Sequence, residues 1–165
     1  MIVIETITLR HLAEFKATRL RALQDTPSAF GATYENESRL TDEDWTNRII
    51  RWNGDAGIGF LAMDEGIACG LAGTFLDPDD SSRAQLISMW TAPSHRQRGI
   101  GRMLVEAVAE WARQRGATFL QLWVTSNNDS AQLFYRQLGF VHTGRTVPYP
   151  NDPALVEHEM ERRLS

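Results

Sequence analysis

Between residues 89 and 102 the chain reads Met-Trp-Thr-Ala-Pro-Ser-His-Arg-Gln-Arg-Gly-Ile-Gly-Arg, an apolar strand-like run that passes through a turn with two glycines into a helix. A chain built this way must bring a strand end and a helix start together around backbone that carries few side chains. Gly99 and Gly101 lack a Cβ, so the main chain can take unusual dihedrals and approach a ligand closely, with several N–H groups pointing one way. The helix beyond adds the unpaired donors of its first turn and the positive end of its dipole. Arg96, Arg98 and Arg102 set guanidinium groups around the turn, in the pattern Arg-x-x-Gly-x-Gly, and such groups suit bidentate contact with phosphate oxygens. One phosphate-bearing anion is expected here.

Two familiar nucleotide turns fit less well. The chain has no Gly-x-x-x-x-Gly-Lys-Ser/Thr string, which removes the P-loop. A dinucleotide-binding turn would follow its strand directly and carry a third small residue where Leu104 stands; here residues 93 to 98 intervene.

The rest of the chain supplies a frame for that turn. At 165 residues it fits one domain over residues 1–165, with a core that needs no staples. No apolar run approaches the ~20 residues of a membrane span, and Met1 to Glu5 lacks the basic leader of a signal peptide. Cys69 has no partner for an intrachain disulfide, so a reducing, cytoplasmic setting is expected. A net charge of −4 argues against a general nucleic-acid binder, and no membrane partner is expected. His11, His95, His142 and His158 are scattered without ligand spacing, so no metal is expected.

Periodicity predicts a strand over Met1 to Thr8 and a helix from about Leu9 to Gln24 that stops before Pro27. A second helix opens at Thr41, whose Thr-x-x-Asp pattern resembles a capping box, and ends at Asn53-Gly54. Ile58 to Met63 and Ile67 to Leu76 flank a hairpin turn, and Arg83 to Thr91 forms the next strand. Past the glycines, Ile100, Met103, Leu104, Ala107, Val108 and Trp111 mark one face of a helix that Gly116 ends. Ala117 to Val124 reads as a buried strand, and the helical crossover predicts that it lies parallel to Arg83 to Thr91. Ser126 to Asp129 caps a short helix that runs to Leu138, and strands over Phe140 to Thr146 and Ala154 to Arg162 close the chain.

The glycine turn, its helix, the buried strand and the following Asn128…Phe134-Tyr135-x-x-x-Gly139-Phe140 resemble the acetyl-CoA-binding half of the GNAT superfamily of N-acyltransferases over about residues 86–144. The resemblance implies an α/β fold with a mixed, twisted, six- to seven-stranded sheet, splayed between the fourth and fifth strands and flanked by about four helices. Acetyl-CoA would lie in the split as cosubstrate. Its amide-bearing arm would pair with the main chain of Met89, Trp90 and Thr91, and its pyrophosphate would rest on the amides of Gln97, Arg98, Gly99, Ile100, Gly101 and Arg102. Asn128 falls beside the pantetheine, and Tyr135 at the place of the general acid that protonates the departing thiolate.

The implied activity is transfer of an acetyl group to a primary amine of a small molecule or peptide by direct attack. An amine with a pKa near ~10.4 must first lose a proton. Several family members use a glutamate on the strand after the glycine-turn helix, where this chain has Trp123. Glu35 is the leading candidate for the missing base, with Glu37, Glu157 and His158 behind it and His95 a turn residue near the cosubstrate. The acidic run of Glu35, Glu37, Asp42, Glu43 and Asp44 favours a cationic acceptor, although Asp42 to Asp44 also suit a helix start. A non-catalytic acyl-CoA binder or sensor is the alternative that Trp123 keeps open. Dimers are common in the family, which allows a homodimer.

Overall fold

The computed structural model describes residues 1–27 and 30–164. Strand β1 (Ile2–Thr6) leads through a 3-10 turn (Leu9–His11) into α1 (Leu12–Asp25), then come α2 (Tyr34–Glu37) and α3 (Asp42–Trp52). Strands β2 (Gly57–Asp64), β3 (Ile67–Leu76) and β4 (Arg83–Thr91) form a meander; α4 (Ile100–Gln114), β5 (Phe119–Thr125), α5 (Asp129–Gln137), β6 (Val141–Pro148) and β7 (Val156–Arg163) complete the chain. All seven strands lie in one open sheet in the order β1-β2-β3-β4-β5-β7-β6. No helix among the described residues is long and apolar enough to cross a membrane.

The expected fold class is met, with two local departures. The first helix starts three residues late, because the His11 ring turns back to accept the Thr8 amide at 3.0 Å and holds Leu9–His11 in a tighter turn. The one-turn α2, capped by Thr33 Oγ1 on the Asn36 amide, lacked any apolar period to announce it.

Alternation along the strands divides the core. Leu61 and Leu71 join Ile7, Phe15, Trp45 and Ile49 under α1 and α3, while their neighbours Phe60, Ala62 and Ala72 join Leu104, Val105 and Val108 of α4 on the opposite face. The sheet is therefore covered on both sides in its N-terminal half.

The parallel pairing of β4 and β5 decides where a ligand can enter. It holds only for Arg83↔Phe119, Ala84↔Leu120 and Gln85↔Gln121, whereas β5 pairs with β7 along its whole length. The register of β3 on β4 jumps from Leu71↔Trp90 to Gly73↔Ile87, so Ser88 and Met89 together oppose Ala72. Ser88 takes φ +58 in this bulge, and a bulge bends its strand and adds twist. The bend carries the Leu86 to Thr91 half of β4 away from β5 and leaves a V. Its closed end is tied by Gln85 Nε2 to Gln121 Oε1 at 2.8 Å and Gln121 Nε2 to Glu161 Oε1 at 3.0 Å.

Candidate active site

The open end of the V faces the starts of α4 and α5. Gly99 caps α4 at φ +79 with no side-chain bond, and Gln97 also lies in the left-handed region at φ +62. Two left-handed residues so close together turn successive amides to one side. Among the described residues no main-chain or side-chain acceptor takes the amides of Gln97 to Arg102, so this cradle keeps its donors for an outside anion. Gly101 is helical and does not take a positive φ. It is needed for approach, since a Cβ there would stand 2.9 Å from Phe134 Cζ and 3.3 Å from Met89 Cε.

The three arginines around the turn divide their tasks, and Arg96 and Arg102 line the cleft. Arg96 pairs with Asp25 and donates Nε to the Thr91 carbonyl at 3.0 Å. Arg98 leans toward Asp64 at 3.8 Å and does not line the cleft. Arg102 lines it and has no carboxylate within pairing distance among the described residues. Two latches thus fix the loop: Asp25 from the end of α1, and Asp64 from β2, whose Oδ2 meets His95 Nε2 at 2.9 Å. Asp25 also accepts the Trp90 indole N–H at 3.0 Å. Burial pushes the Asp25 carboxyl up, but the bonds from Trp90 and Arg96 outweigh it and hold the carboxyl below its ordinary range.

A cavity of about 570 Å³ runs along this cradle, lined by Met89, Trp90, Thr91, Gln97, Gly99, Ile100, Gly101, Arg102, Asn128 and Tyr135 among others. A second, of about 520 Å³, occupies the other side of the V between Arg19, Phe30, Phe75, Trp123 and Glu157. Met89, Asn128, Ala131 and Tyr135 line both. Cavities of this size suit small organic ligands. Asn128 spends its Oδ1 on the Ala131 amide and the Ser130 hydroxyl, leaving its amide N–H groups without a protein partner among the described residues. Tyr135 is 8% exposed, set edge-on between Phe134 and Phe140, and its hydroxyl has no protein partner among the described residues. Burial raises its phenol well above the ordinary range, so the hydroxyl stays protonated at neutral pH.

The acidic candidates separate sharply. Glu35 lies outside both cavities; its side chain is 76% exposed and paired with Arg39 at 3.0 Å, which removes the geometric case for it as the base. Burial raises the Glu37 carboxyl, but Arg19 at 3.0 Å and Arg48 at 2.9 Å outweigh that effect and keep it ionised and occupied. Asp42, Glu43 and Asp44 belong to the start of α3, where Thr41 and Asp44 cap each other, and none lines either cavity. His158 packs edge-on to His142 on the alternate face of β7. Glu157 lines the second cavity, and burial raises its carboxyl. It heads a row on β7 in which Glu161 is held by Arg83 at 2.6 Å and Glu159 by Thr143 at 2.8 Å and Arg145 at 3.3 Å. Glu157 has no such partner among the described residues. No group of three or more His, Cys, Asp or Glu that could hold a metal occurs among the described residues.

Sequence reasoning missed Asp25 and Ser88. Asp25 ends a helix and carries no motif, and Ser88 sits in a run that reads as unbroken strand.

The chain is similar in sequence and in fold to known proteins. The chain is 42% identical to streptothricin acetyltransferase of Streptomyces lavendulae over 64 residues, 39% of this chain and 34% of that protein. It is 31% identical to aminoglycoside N(6')-acetyltransferase type 1 of Salmonella typhimurium over 96 residues, 54% of this chain and 66% of that protein. It therefore spans about a third of the first relative and just under two thirds of the second. In fold it is similar to the PaiA N-acetyltransferase of Thermoplasma acidophilum, solved in complex with coenzyme A, with a TM-score of 0.78 over 99% of each chain at 16% identity. Residues 19–140, from the middle of α1 to the residue before β6, match the acetyltransferase (GNAT) family, and the chain belongs to that family.

Proposed function

We propose that the protein transfers the acetyl group of acetyl-CoA to a primary amine, with Tyr135 as the proton donor and Glu157 as the base. The observation that carries this reading is that Tyr135 lines both cavities. The cradle of residues 97–102 and the unpaired edge of β4 suit the diphosphate and amide-bearing arm of CoA, and the coenzyme A complex of the Thermoplasma acidophilum protein supports that assignment. The second cavity takes the amine. Relatives named for streptothricin and for an aminoglycoside nitrogen support a small molecule as its carrier.

Glu157 accepts a proton from the ammonium, and the free amine attacks the thioester carbonyl. As the C–S bond breaks, Tyr135 donates its proton to the leaving sulfur and recovers one from the nitrogen, so an amide, free CoA and one proton leave the site. Main-chain donors along the splayed edge at Trp90 or Thr91 can meet the developing oxyanion.

Thiol release from acetyl-CoA, measured across a panel of primary amines, tests the reading. Wild type is expected to turn over at least one of them, and Tyr135→Phe to lower kcat by about 100-fold or more. Retention of full kcat by Tyr135→Phe would remove the proton donor. Tight CoA binding with no turnover of any amine would make the protein an acyl-CoA binder instead.

A further inference from the structure

Thr125, the last residue of β5, is 4% exposed, and its Oγ1 is buried with no hydrogen-bond partner among the described residues. A hydroxyl in that state costs free energy unless something outside the protein completes it. Thr125 also lines the second cavity. Its antiparallel partner on β7 is Glu157.

Directly opposed residues share one face, with Cβ atoms about 4.5–5.5 Å apart. The same face carries the Gln121–Glu161 bond at 3.0 Å two pairs further on, which fixes the direction of both side chains. A hydroxyl and a carboxylate, each without a partner among the described residues, therefore stand side by side on one face of the β5–β7 pair beside the second cavity, whereas the other carboxylates in their row are each taken by an arginine.

Resting on the acceptor role proposed for this cavity, we infer that Thr125 and Glu157 grip the same acceptor nitrogen, the carboxylate taking its proton and the Thr125 Oγ1 accepting a second N–H. An ammonium has three N–H donors, so it can satisfy both groups at once. After Glu157 removes one proton, the bond to Thr125 persists and restrains rotation of the amine while its lone pair meets the carbonyl carbon. Thr125 is then an acceptor-binding residue that orients the nucleophile.

The test uses the full chain and an amine that wild type acetylates. Thr125→Val keeps the shape and removes the hydroxyl; Thr125→Ser keeps the hydroxyl. Thr125→Val is expected to lower kcat/KM for the amine by about 10- to 100-fold, the worth of a hydrogen bond to a charged group, while KM for acetyl-CoA stays within about twofold. Thr125→Ser is expected to recover most of the loss. In a Glu157→Gln background the Thr125→Val effect is expected to shrink, because both changes act on one nitrogen.

Unchanged kcat/KM in Thr125→Val, an equal loss in Thr125→Ser, or full additivity with Glu157→Gln would each overturn the inference while leaving acetyl transfer intact. Absence of turnover by wild type with every amine would overturn both. Thermal melts of each variant separate a binding loss from unfolding, and a Thr125→Val protein that melts as wild type yet loses only acceptor kcat/KM supports the shared grip.

Discussion

At Glu157 the burial that suits a carboxylate to take a proton also works against the folded state. Its carboxyl is raised above the ordinary 4.5 by burial, so the folded chain holds its proton to higher pH than the unfolded chain does. The favourable contribution is complete below 4.5 and is lost as pH rises through the folded value. Glu157→Gln is neutral throughout and escapes that loss. We expect it to melt higher than wild type at pH 7, with the difference vanishing in acid, and to acetylate amines at least about 100-fold more slowly. Scanning calorimetry at two pH values and a rate measurement check both halves; a variant that melts lower than wild type at pH 7 would contradict the burial argument. Wild-type kcat/KM should likewise fall on the acid side as Glu157 becomes protonated. Tyr135 and Asn128 entered as candidates through the family resemblance of the motif that runs to Gly139. Glu157 was one candidate among several and Thr125 was not named, because their relation exists only once β5 has paired with β7, and no local pattern encodes that register.

Among the elements, glycines do unlike work that composition cannot separate. Gly99 holds a left-handed turn with nothing within 4 Å of a built Cβ, so Gly99→Ala should cost the backbone strain alone, about 1–2 kcal/mol. Gly59 is a floor for the Trp52 ring, where a Cβ would stand 2.3 Å from Cε3, and Gly73 makes the same recess at 2.5 Å from Cζ2. Gly59→Ala must move α3 off the sheet and should cost about 3 kcal/mol. Denaturant titration with an unchanged m-value would rank the two, and the reverse order would sink the assignment. Between α1 and the anion loop, Asp25 is the tie. Its lowered carboxyl adds stability above the ordinary 3.8 that is lost as pH falls through the folded value. Asp25→Asn weakens the hold on Arg96 and, through it, the Thr91 carbonyl. KM for acetyl-CoA should rise by up to about fivefold at neutral pH with kcat little changed. The sequence announced α4 and the hairpins through apolar periods and turn residues, but it could not announce this tie, since α1 and the loop meet only in three dimensions.

At the scale of the molecule, the order of elements and the parallel crossover were legible because a strand, an amphipathic helix and a second buried strand leave one right-handed solution. The extent of the split was not, because it follows from one bulged residue, Ser88, in a run whose side chains read as continuous strand. That split leaves a four-stranded half and a three-stranded half joined by three residue pairs at the base of the V. A ligand that bonds the free edge of β4 and the amides of the α4 cradle, and packs on Tyr135 and Asn128 of α5, would bridge the halves where the sheet itself does not. Acetyl-CoA should therefore stabilise the chain by mass action, about 2.7 kcal/mol at 100 times its Kd, and do so with a local signature. Amide exchange should slow at Met89, Trp90 and Thr91 and across Gln97 to Arg102, while the β2–β3 hairpin, already paired on both edges, changes little. Protection spread evenly over the sheet, or absent from the cradle, would mean that the ligand does not span the V, and the cofactor assignment of the first cavity would fall with it.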